Sequence, residues 1–155
     1  MRPVKKTSKF AAIWEAPAGP TFGESELELL GAGIKQLPTK YWQPGMLFKG
    51  ARDHLVRTLT GVFPAKLGAG NASHPLYVLQ ILSGLGHRVC PCSSKDWGER
   101  RFIRSGCVLQ YTHRVTDRDS YLVESCPFNL PADPEFRKRL GFLGMVPAEC
   151  LESRP

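Results

Sequence analysis

The chain has no run of eighteen apolar residues, so the sequence predicts no helix that crosses a bilayer. It also lacks the G-x-x-x-x-G-K-[ST] loop, the G-x-G-x-x-G fingerprint, H-E-x-x-H and G-x-S-x-G, which removes the familiar nucleotide, dinucleotide, zinc-protease and serine-hydrolase readings. No internal repeat or low-complexity tract is present. Cysteines number only five, an odd set at positions 90, 92, 107, 126 and 150, where a disulfide scaffold normally shows an even one. Five reduced thiols are therefore expected. The opening Met-Arg-Pro-Val-Lys-Lys-Thr-Ser-Lys has no apolar core of the secretory kind, which agrees with a cytoplasmic protein that does not engage membranes. Acidic side chains are in deficit, 14 against 21 basic ones. The resulting +7 leaves an anionic partner such as nucleic acid in play, although four of the positive charges lie in the first nine residues and also suit a solvated arm.

At 155 residues, with 42% apolar positions and eight Phe, the chain can bury roughly 70% of its unfolded surface and build one core. Residues 1–43 read as an extension with a basic arm and one short helix, Glu26 to Leu30, opened by the Ser25/Glu28 capping pattern and stopped by Gly31 and Gly33. Residues 44–155 read as the main domain. Short apolar runs separated by Gly, Pro, Asn and Asp predict strands at Met46 to Lys49, His54 to Thr60, Leu76 to Leu82, His87 to Cys92, Arg101 to Arg104, Val108 to His113 and Tyr121 to Cys126. The run from His54 has the pattern of an edge strand, and the almost wholly apolar run from Leu76 that of a central one. Asp133 before Pro134 opens a C-terminal helix running to Leu140. The expected fold class is mainly β, a small SH3-like antiparallel barrel with a few short helices.

Three constellations could carry chemistry. His87 with Cys90, Cys92, Cys107 and Cys126 could be drawn as a zinc site, but a C-x-C pair lacks the usual two-to-four-residue gap, so buried thiols and no cofactor or metal are expected. Cys107 and His113 share a face if 108–113 is a straight strand, a minor option for a nucleophilic thiol. The third joins His74, at the end of the glycine-rich loop Gly61 to Ser73, to Ser93, Ser94 and Lys95 at the end of the following strand. A hairpin puts these two places at the same end, and an imidazole beside hydroxyls and an ammonium suits a phosphodiester.

The order Pro44-Gly45-Met46-Leu47-Phe48, then His74-Pro75-Leu76-Tyr77-Val78-Leu79, then Val89-Cys90-Pro91-Cys92-Ser93-Ser94 resembles the MazF/PemK toxins over residues 44–126. That resemblance implies an SH3-like barrel, a homodimer, an antitoxin protein as partner and metal-independent cleavage of single-stranded RNA. It places catalysis on Ser93, where the family has Thr or Ser, and on His74, where the family has Arg. Met46 stands where the family often has an acidic residue. Histidine lacks the fixed forked charge of arginine but can shuttle a proton. Ser94, Lys95, Lys66 and Ser73 would bind phosphate or RNA, with the 61–73 loop closing over the strand. The alternative is a catalytically inactive barrel acting as a protein-interaction module.

Overall fold

The computed structural model describes residues 36–154, apart from 69, 71, 84, 85, 97 and 132. The basic arm and the Glu26 to Leu30 helix lie outside the described residues. Eight strands form one antiparallel sheet: β1 Met46–Lys49, β2 Leu76–Ile81, β3 His87–Ser93, β4 Arg101–Ile103, β5 Ser120–Leu122, β6 Phe128–Leu130, β7 Gly141–Met145 and β8 Leu151–Ser153. Their order is β7-β1-β2-β3-β5-β4-β8, with β6 also on β3. Among the described residues two α-helices accompany them, α1 Asp53–Thr60 and α2 Pro134–Arg137. Among the described residues no helix is long and apolar enough to cross a membrane.

The central strands are buried on both faces. Met46, Phe48, Leu76, Val78 and Val89 enter one apolar cluster, which also holds Trp42, Val56 and Phe142. Their alternates Leu47, Tyr77, Cys90 and Cys92 enter a second, with Ile103, Leu122 and Cys150. A period of two that is apolar at both phases yields the nearly continuous runs in the sequence. In β3, Pro91 sits where the strand changes partner, from β6 at His87–Val89 to β5 at Cys92–Ser93. A proline has no N–H to give a ladder, and that changeover tolerates the loss.

The sheet curls into a half-barrel and does not close as the sequence led us to expect. Its path ends at β7 and β8 with no ladder between them. The segment between β4 and β5 crosses the opening instead: Gln110 exchanges backbone hydrogen bonds with Met145 of β7, 2.8 and 3.2 Å, and Cys107 is joined by a disulfide to Cys150 beside β8. The expectation of five free thiols is therefore corrected to three, Cys90, Cys92 and Cys126. The pair is separated by 43 residues, and only the return of the C-terminus to β4 brings the two thiols together.

Four further expectations change. Residues 53–60 are helical, not an edge strand: Asp53 begins α1, Val56 is buried, and Gly61 ends it in the left-handed conformation at φ 82°. Val108 to His113 is no strand, because Tyr111 and His113 take positive φ and leave only isolated bridges at Val108 and Gln110. The strand expected through Cys126 stops at Leu122 and turns. The C-terminal helix opens on the Asp133 cap, whose carboxylate accepts from the Glu135 N–H at 3.0 Å, but it stops at Arg137 and the chain enters β7.

Candidate functional site

Helix α1 builds the site. At its first turn, buried Asp53 receives a hydrogen bond from His74 Nδ1 at 2.7 Å. A carboxylate only accepts, so Nδ1 carries a proton, and whenever the ring is neutral its lone pair is on the second nitrogen, Nε2. At the other end of α1, Thr60 Oγ1 accepts the Phe63 N–H at 2.9 Å, and Arg57 donates to the Pro64 carbonyl at 2.8 Å. These bonds fold the first part of the 61–73 loop back over the helix. Phe63 then meets the His74 ring edge-on, with centroids 5.1 Å apart. The imidazole is gripped by a carboxylate on one element and an aromatic ring on another, while remaining 28% exposed.

The β2–β3 register brings the other residues up. Leu76 lies opposite Pro91, and the Cys92 N–H donates to the Pro75 carbonyl at 2.8 Å, so the ladder carried one step further sets His74 across from Ser93. A cavity of about 380 Å³ opens there, lined by His74, Ser93, Ser94 and Lys95 on one side and by Phe63, Pro64, Ala65 and Lys66 on the other. Five of the six residues singled out from the sequence thus share one cavity. Within it Ser93 is buried and its Oγ accepts the Lys95 N–H at 3.1 Å, which shapes the turn that exposes Ser94 and Lys95. The sixth, Ser73, bridges Arg52 and lines a larger neighbouring cavity of about 520 Å³, which shares His74 and Ser94 with the smaller one.

The thiols do not join this chemistry. Cys107 is disulfide-bonded, which removes the Cys107–His113 pairing as a nucleophile and base. Burial pushes the Cys92 thiol up to about 12, so at neutral pH it is a protonated wall atom of the larger cavity. His87 is turned to Arg137 rather than to the cysteines. Among the described residues no three His, Cys, Asp or Glu side chains gather as metal ligands would.

Sequence reasoning missed Asp53, because a strand beginning at His54 leaves it in a loop. The signals that would have found it are Leu55, Val56 and Leu59 at helical spacing, with an acid in the first turn and glycine after the last. Arg114 and Arg118, on the wall of the larger cavity, were missed as well, since their approach depends on how the β4–β5 connection folds. No family model, curated protein or solved structure matches the chain.

Proposed function

We propose that the chain is a metal-independent endoribonuclease acting on single-stranded RNA, on a variant of the SH3-like scaffold of the MazF/PemK toxins. The observation that carries this reading is the Asp53–His74 pair at the mouth of a cavity that also presents Ser94, Lys95 and Lys66. His74 Nε2 takes the proton of a ribose 2′-hydroxyl. The 2′-oxygen then attacks the adjacent phosphorus, the bond from phosphorus to the 5′-oxygen breaks, and the leaving oxygen receives a proton from the Lys95 ammonium. Lys66 and the Ser94 hydroxyl donate to the phosphoryl oxygens as charge gathers there. Asp53 keeps the imidazole in the tautomer that can accept and stabilises the imidazolium that results. The net charge of +7 favours capture of a polyanion.

The products should carry 2′,3′-cyclic phosphate and 5′-hydroxyl ends, formed equally well in EDTA. His74→Ala should abolish cleavage, and so should His74→Arg, whose guanidinium supplies a fixed charge but no lone pair to take the 2′-proton; a His74→Arg variant that cuts as fast as wild type would remove the imidazole from the proton transfer. If wild-type protein binds RNA and leaves it intact, the chain is an RNA-binding protein and not the enzyme; if it neither cleaves nor binds RNA, the inactive protein-interaction module replaces the nucleic-acid reading.

A further inference from the structure

We propose that the larger cavity beside His74 is a nucleotide subsite, which holds the base and sugar of a residue next to the scissile phosphate; this rests on the ribonuclease reading above. At about 520 Å³ it falls within the roughly 300–1,000 Å³ typical of small-ligand sites. Its floor is apolar, with Leu47, Ile103, Leu109 and Leu143, and Cys92 is held there as a neutral thiol. Its rim is polar and carries two cations against one anion, with Arg114, Arg118 and Asp117 exposed, Arg118 paired to Asp117 at 3.5 Å, and with His74 and Ser94 also lining the cavity. A ligand that fits both parts has a weakly polar body and an adjoining anion, as a nucleotide does. The two cavities meet at His74 and Ser94, so a phosphate there belongs to both, with the reacting group in the smaller cavity and the attached nucleoside in the larger.

The walls are built to hold a shape. The β4–β5 connection that supplies Arg114 to Arg118 is pinned through Thr116, whose hydroxyl accepts the Cys107 N–H at 2.9 Å and donates to the Arg104 carbonyl at 2.9 Å. Thr112 donates to the Leu143 carbonyl at 2.6 Å, and the disulfide fixes Cys107 to Cys150. A rigid floor and a positioned rim suit recognition of one base better than sequence-blind tracking of a backbone.

The test uses wild-type protein and the four nucleoside 3′-monophosphates, followed through the methyl resonances of Ile103, Leu109 and Leu143. We expect at least one nucleotide to shift these methyls saturably at millimolar concentration or below, inorganic phosphate to leave them in place, and the Arg114→Ala/Arg118→Ala variant to weaken binding tenfold or more. Unmoved floor methyls with all four nucleotides, or equal shifts with phosphate alone, overturn the subsite. The readout needs no cleavage, so the two readings fail separately. RNA cut in EDTA with silent floor methyls leaves the enzyme without this subsite, while shifted methyls with uncut RNA leave a nucleotide site without the enzyme.

Discussion

His87 should make the fold fail in mild acid. It is 3% exposed, and its Nδ1 accepts a hydrogen bond from Arg137 Nη1 at 2.8 Å, while the Arg137 guanidinium, itself 5% exposed, lies 5.0 Å over the Trp42 ring. Arg137 also donates to the carbonyls of Pro131 and Leu130, so no carboxylate offsets its charge in these contacts. Protonating His87 would turn the acceptor into a donor and set a second cation against the first. Burial and then the Arg137 charge accordingly lower the His87 pKa from 6.5 to about 4. Between those values the unfolded chain binds a proton that the folded chain refuses. The stabilisation from neutral His87 is complete above about pH 6.5 and fades as pH falls towards about 4, a loss of about 3 kcal/mol, which is a large share of a small domain's stability. The check is urea unfolding of wild type and His87→Asn at pH 7 and pH 4.5; asparagine keeps an acceptor for Arg137 and does not titrate. Carboxylate effects cancel in the difference, and wild type should lose about 2–3 kcal/mol more than the variant. Parallel losses in the two proteins would refute the reasoning.

Gly144 has φ +134°, and a Cβ there would lie 2.6 Å from Leu109 Cβ and 2.7 Å from Thr112 Oγ1, so Gly144→Ala should cost at least about 2 kcal/mol in denaturant. Gly106→Ala, at φ +81° with open space around it, should cost only the backbone strain of about 1–2 kcal/mol. Thiol titration of the unfolded, unreduced protein should find three cysteines and five after reductant; five without it would remove the Cys107–Cys150 bond. Replacing both cysteines with serine should cost about 4 kcal/mol by the loop-closure relation for a 43-residue separation, seen as a lower midpoint in urea.

What was readable in the sequence was local and apolar. β1 through β4 follow from short runs between turn residues, and β2 is flanked by β1 and β3 as its nearly continuous apolar character suggested. The approach of His74 to Ser93 also followed, since antiparallel register extends beyond the last ladder bond. Helix α1 was missed because eight residues containing Val56, Thr58 and Thr60 fit a period of two about as easily as one of 3.6. That error hid Asp53, and with it the partner that defines the His74 tautomer. β7 and β8 were missed for another reason: Gly141, Gly144 and Glu152 break the apolar texture, and these strands form because β1 and β4 offer edges to them. The disulfide and the rim of the larger cavity depend on contacts far apart in the chain, which no local pattern encodes.

The central claim is that an Asp53-held imidazole moves the proton in a metal-free cleavage. Its most direct test is the cleavage rate of a single-stranded RNA in EDTA for wild type, Asp53→Asn and His74→Ala, with thermal melts showing that each is folded. Asparagine can donate to Nδ1 and so favours the tautomer with its proton on Nε2; the rate should fall about 10²–10⁴-fold, with RNA binding retained. His74→Ala should leave no cleavage. Asp53→Asn cutting at the wild-type rate, or wild-type activity that vanishes in EDTA, would contradict the account.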